Sequence, residues 1–350
     1  MTSESVVAKE TGALSPVQRA ETQSGSRASW ILYVLAALAL GWVFHDLSWE
    51  TLRSQLRAMD LWWLLPAVAC DVLSYLCQGM RWHYLLRPVG RLSLFRCTQA
   101  IYVGLFTNEV LPMRVGEVAA AYLGGFWLER PIAQVLPSML VGRLLDGVWL
   151  ALAVGALLIF VPLPPNLAWA GDVFGIAVAF ALLVFLAMLL RGSRGIGKTS
   201  PDAEGDAHGM IGKIRIQFGH VVTGIQEIRD PKLISWAALF SLGILVFQTL
   251  AFWLVMRAYH LPVPALAAAC VFLIVHLGTA IPNAPANIGS FQFFTVVGLS
   301  LFGVDKATAA GFSAVVFLVL TVPLWIIGFI ALSRTGLTLH SIRERLLARS

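Results

Sequence analysis

The sequence predicts an all-α polytopic membrane protein, with about six transmembrane helices and two opposed re-entrant, broken-helix hairpins arranged as an inverted repeat. Three observations carry this prediction. The 350 residues are 58% hydrophobic and 13% charged, with a mean hydropathy of +0.78, whereas soluble domains are roughly 45–50% apolar and about 25% charged. Apolar runs of spanning length recur along the chain. Two long apolar regions are also broken by Pro, Gly, Asn and charged residues, which a continuous membrane helix does not use.

Residues 1–29 are polar, mixed in charge and rich in Ser, Thr and Ala. They lack the early apolar core and small-residue cleavage site of a secretory signal. The expectation is a disordered cytoplasmic tail followed by an uncleaved anchor. The folded region is expected over 30–335, with a basic cytoplasmic tail at 336–350. The spanning runs are 30–47, 61–80, 135–161, 172–190, 233–257 and 307–333, near or above the roughly 17–25 residues a helix needs to cross the hydrocarbon. The interrupted regions are 94–131, broken at Pro112–Gly116, and 265–303, broken at Pro282–Gly289. Between spans, residues 211–228 set Ile211, Ile214, Phe218, Val221, Val222, Ile225 and Ile228 at helical spacing. An interfacial amphipathic helix within the 191–232 loop is predicted, and residues 50–60 hold the matching place earlier in the chain.

The net charge of +6 is a topology signal here and no nucleic-acid footprint. Lys and Arg cluster in 81–96 (Arg81, Arg87, Arg91, Arg96), in 191–232 and in the C-terminal tail, and are absent from 161–172 and 258–264. All three basic regions are therefore expected to be cytoplasmic. That holds only if 94–131 enters and leaves on the cytoplasmic side and 265–303 does the same from the opposite face. Both termini are then cytoplasmic, and Arg53 and Arg57 fall outside.

Residues 30–161 and 172–333 repeat one order of elements: span, span, hairpin, span. Second spans begin at 61 and 233, third spans at 135 and 307, and the breaks carry Pro112 and Pro285, giving offsets of 172, 172 and 173 residues. Three spans per half make the second copy inverted, an architecture of transporters with discontinuous helices at the midplane.

The chemistry concentrates in the first break, Phe106–Glu117. A guanidinium at membrane depth costs about 2.5–3.5 kcal/mol on insertion scales and so faces a cavity or a partner. Arg114 is accordingly the leading candidate to grip phosphate or carboxylate oxygens; its alternative is to snorkel beside Glu117. Gly116 and the helix starting near Glu117 would add backbone N–H groups for an anion. Glu109 and Glu117 either balance Arg114 or carry a proton. Asn108, Asn283 and Asn287 satisfy broken backbone or contact a ligand, and Gly289 marks the second break. Arg143 and Asp146, at i and i+3, form a pair on one helix face, as a site or as a brace. His276 and Asp71 are isolated polar residues in apolar surroundings.

Other motifs fall away. Gly192–Thr199 satisfies G-x-x-x-x-G-K-[ST], but it follows a membrane run and lacks the strand-to-helix setting that cradles phosphates, so no nucleotide is expected. Cys70, Cys77, Cys97 and Cys270 form no CxxC and join no His at ligand spacing, so neither metal nor cofactor is expected. No hydrolytic triad or metalloprotease helix appears, and the chain is not expected to be an enzyme.

Asn108, Leu111, Pro112, Arg114, Gly116 and Glu117, then Arg143 and Asp146, then Pro285, Ile288 and Gly289 resemble the flippase-like family of the lysylphosphatidylglycerol synthase membrane region. The likeness spans roughly 30–335. Many relatives carry a Glu shortly after the second Gly, where this chain has Ser290-Phe291-Gln292. The resemblance implies a bacterial inner-membrane protein that moves lipids between leaflets, with aminoacylated phosphatidylglycerol or polyprenyl-phosphate-linked glycans as cargo. The soluble transferase domain is not expected, and lysyl transfer is not carried over. The alternatives are a membrane scaffold for lipid or cell-envelope glycan biosynthetic enzymes and a membrane-embedded lipid-modifying enzyme.

Overall fold

The computed structural model describes residues 32–111, 115–160, 176, 230–280 and 284–336. The calls on the tails, Arg114, Asn283, the 172–190 run, the P-loop-like stretch and the 211–228 helix lie outside them, as does nearly all of 161–229.

Helix α1 (Leu32–Phe44) bends by 75° into α2 (Trp49–Ala58), which Ser48 caps by accepting from Thr51 N at 3.1 Å. A 3-10 turn capped by Asp60 leads into α3 (Leu64–Leu86). Then come α4 (Leu94–Val110), α5 (Gly116–Leu128) and α6 (Ile132–Phe160). The later part holds α7 (Pro231–Ala258), α8 (Ala265–Gly278), a 3-10 turn at Pro285–Asn287, α9 (Ser290–Ser300) and α10 (Lys306–Ser333). Asp230 with Pro231 starts α7, and Asp305 starts α10, each carboxylate accepting a first-turn N–H at 2.9 Å; acceptors at that position satisfy donors with no partner inside the helix.

Four described helices are long and apolar enough to cross a membrane, and five if the bent α1–α2 pair is one span. They match the predicted runs 30–47, 61–80, 135–161, 233–257 and 307–333. The chain is thus an all-helical, multi-pass membrane protein among its described residues. At about 1.5 Å per residue, α4, α5, α8 and α9 fall short of the roughly 30 Å hydrocarbon thickness. Instead α4 folds back on α5, and α8 on α9.

The α4–α5 hairpin closes tightly at its break. A Cβ on Gly104 would lie 2.6 Å from the Gly116 carbonyl, and one on Gly116 would strike the Gly104 carbonyl. Two glycines facing each other let the backbones approach as small residues do in membrane interfaces.

Two buried clusters hold the molecule together. One joins α7–α10 around Phe252, Phe312 and Leu299; the other joins α3–α6 around Trp82, Leu123 and Val103. The long interface of α3 with α7 links them, and the distal part of α10 packs on α4, with Leu324 and Leu332 in the second cluster. Asp60 N donates to Ala258 O at 3.0 Å, and Gln99 Nε2 donates to Ala331 O at 3.0 Å. These two bonds place the start of α3 by the end of α7, and the start of α4 by the end of α10.

The structure corrects one boundary. Arg81, assigned above to a cytoplasmic loop, lies inside α3, which runs on to Leu86 before Pro88 and Gly90 interrupt it. Its side chain is buried among helices, so it contributes no loop charge; Arg87, Arg91 and Arg96 do.

Candidate functional site

The two breaks meet. Helix α4 touches the Pro285–Asn287 turn, and between them opens a cavity of about 570 Å³ lined by α3, α4, α6, α7, α8 and α10 as well as both breaks. That volume falls in the range of small-ligand sites.

Each break is held by a side chain acting on the backbone. Asn108 Oδ1 accepts from Gly116 N at 2.6 Å, bridging the end of α4 to the start of α5. The Gly116 N–H, expected among the donors for an anion, is therefore occupied, and the N-cap residue Val115 supplies no side-chain acceptor. At the second break Ala286 and Asn287 are both left-handed, with φ of 57° and 54°. Asn tolerates that conformation, while Ala pays roughly 1–2 kcal/mol for it. Gly289 has φ 87°, and a Cβ there would lie 2.6 Å from the Ala36 carbonyl of α1. Gln292 Oε1 accepts from Gly289 N at 2.8 Å, so the residue standing near the relatives' Glu serves as a cap on α9.

Beside the cavity four charged side chains run in a row. Arg81 donates to Asp146 and, at 3.0 Å, to Ser241 Oγ of α7. Arg143 Nη1 lies 3.9 Å from the other Asp146 oxygen, and Arg143 also binds Glu117. Arg143 and Asp146 do approach each other, but each has a closer partner on another helix. The row ties α3, α5, α6 and α7 together. Arg143 is half exposed while Arg81 is buried, so Arg143 is the guanidinium that a ligand can reach.

Asn108, Glu109, Glu117, Arg143, Asp146 and Asn287 all line the cavity, as do Asp71 and His276. Glu109 accepts from the Trp325 indole of α10 at 3.2 Å. Gly116 borders a side recess, and Gly289 faces α1. The residues that the sequence left unmarked are Arg81, Ser241 and Trp325. The signal for Arg81 was the absence of a helix breaker before Pro88. The lining also includes Phe252, Phe272, Phe291 and Phe317, which supply apolar surface. Among the described residues no group of three or more His, Cys, Asp or Glu side chains is placed to hold a metal.

No curated protein matches the chain. A family model does, over residues 29–328, covering every described helix but the last turn of α10. That family is the lysylphosphatidylglycerol synthase TM region, whose name points to lipid handling, and this chain belongs to it.

Proposed function

We propose that this protein is a lipid flippase or transporter that moves a phosphate-bearing lipid between leaflets through the cavity at the two breaks. The observation that carries the proposal is the meeting of two broken helix pairs around a cavity lined by both charged and aromatic side chains. A head group fits the charged side chains and an acyl or polyprenyl chain the aromatic ones. Discontinuous helices meeting at mid-membrane favour transport over a passive scaffold.

The cation distribution supports opposed re-entrant hairpins and the inner-membrane orientation. Arg87, Arg91, Arg96, Arg130, Lys232 and Arg334 lie at the end where α4 begins and α10 finishes. At the other end lie Arg53, Arg57, Arg257 and Lys306, four cations against six among the described residues. The basic end is then cytoplasmic. The α4–α5 pair enters from it, and the α8–α9 pair from the far side.

Arg143 is the described phosphate ligand, exchanging Glu117 for the lipid, and Arg114 is the second. The described lining holds one Arg against Asp71, Glu109, Glu117 and Asp146. A head group bearing an ammonium beside its phosphate, as in aminoacylated phosphatidylglycerol, therefore suits it better than a purely anionic one.

The test is leaflet exchange of fluorescent phosphatidylglycerol, with and without an aminoacyl group, in liposomes containing the purified protein. Exchange is expected to accelerate with wild type and to be lost in Arg114→Ala. Unchanged exchange in that variant removes Arg114 from the mechanism; no exchange with either lipid favours a scaffold; a change in lipid mass indicates an enzyme.

A further inference from the structure

One lining carboxylate enters the proposal above only through its charge. Asp71, in mid-α3, is 3% exposed, lines the cavity, and its Oδ2 has no hydrogen-bond partner. The other lining carboxylates do better: Glu109 has the Trp325 indole, Glu117 has Arg143, and Asp146 has Arg81. A buried carboxylate oxygen without a donor is expensive inside a membrane protein and points to function.

Its surroundings decide what it binds. On α3 the titratable neighbours are Cys70 and Tyr75, whose hydroxyl interacts with the carboxyl. From α4 come Tyr102, edge-on to Tyr75 with ring centroids 5.5 Å apart, and Glu109. From α6 come Arg143 and Asp146, both paired, and from α8 His276. From α7 and α10 the cavity presents Ser241, Gln248 and Thr321, none of which titrates near neutrality. Hard metal cations take about six to eight oxygens, which one carboxyl and one phenol do not approach. A proton needs a single oxygen.

We infer that Asp71 is a proton-binding site of the cavity, taking a proton from water onto its unpartnered oxygen and returning it to water as the cavity changes its access. No other bond forms or breaks. The coupling of this proton to lipid movement rests on the transport proposal; the site itself does not.

Two measurements test it. Infrared difference spectra of the protein in bilayers, taken across about pH 6–9, above the range in which ordinary Asp and Glu titrate, should show the carbonyl band of a protonated carboxyl. Asp71→Asn, nearly equal in size, should lose it. Tyr75→Phe keeps the carboxyl and should keep the band, moved to higher frequency by loss of the hydroxyl. A wild type without such a band, or a band that survives Asp71→Asn, overturns the site. In proteoliposomes carrying a pH gradient, labelled phosphatidylglycerol should be skewed toward one leaflet by wild type and not by Asp71→Asn. Exchange without skew in the wild type overturns coupling. A titrating band with no lipid exchange refutes the transport proposal and leaves the proton site standing.

Discussion

Arg81 of α3 donates to the Asp146 carboxylate of α6 from a side chain that is buried between helices. The bond joins two spans 65 residues apart in sequence, and Ser241 of α7 shares the same guanidinium. Removing one member of a buried pair leaves an uncompensated charge, at a cost of about 3–5 kcal/mol. Asp146 is partly exposed, so Arg81→Leu should fall at the low end, about 3 kcal/mol, read as a lower Tm in detergent. Arg81→Leu with Asp146→Leu should recover most of the loss. A single variant as stable as wild type would mean that the pair contributes little.

The α4–α5 hairpin depends on two glycine backbones in contact. Gly116→Ala forces a methyl against the Gly104 carbonyl and the Asn108 side chain. Over-packing of this kind costs about 1–3 kcal/mol. It also displaces the Asn108 bond across the break. Hydrogen exchange should rise in the first turn of α5, while α8 and α9 keep their protection. Gly147→Ala, whose Cβ meets nothing within 4 Å, is the control and should leave both unchanged.

The break itself was legible because Pro112, Gly116 and Asn108 are chemically out of place in an apolar run, and the bond from Gly116 to Asn108 is local. The long helices were legible for the same reason, through hydropathy and length. The charged row was not. Arg81 ends an apolar run, where a cation reads equally well as a loop charge, and its partner is set by the crossing of α3 and α6. Arg143 and Asp146 were visible as an i, i+3 pair, yet Glu117 and Arg81 compete for them from other helices. Asp71 stood out in sequence as a lone carboxylate; that one oxygen has no donor is a property of packing alone.

Acid should loosen the end of the molecule where α1, α2 and α10 meet. Lys306 Nζ donates to Asp46 at 2.8 Å and sits over the Trp42 ring at 4.4 Å. Hydrogen bonds from Lys306 and His45 hold the Asp46 carboxyl below the usual range, and the Thr308 N–H does the same for Asp305 at the start of α10. A carboxyl lowered by folding stabilises the fold fully above its unfolded value, about 3.9. That contribution is lost as pH falls through the depressed folded value. Asp305→Ala should therefore cost about 1 kcal/mol at neutral pH as a lost cap, and its difference from wild type should vanish in strong acid. Tm measured against pH checks this; a difference that grows on acidification would contradict it.

Arg143 and Glu117 separate a brace from a ligand group. Arg143→Glu places two carboxylates together beside Asp146 and should lower both Tm and lipid exchange. Adding Glu117→Arg restores an opposite-charge pair with the signs reversed, and Tm should recover by more than half. Lipid exchange should not recover, because the guanidinium would then project from α5 instead of α6 and leave Asp146 facing a second carboxylate where the phosphate is to bind. If exchange returned in full with the swapped pair, Arg143 would be a brace between α5 and α6, and phosphate binding would have to be assigned to Arg114 alone.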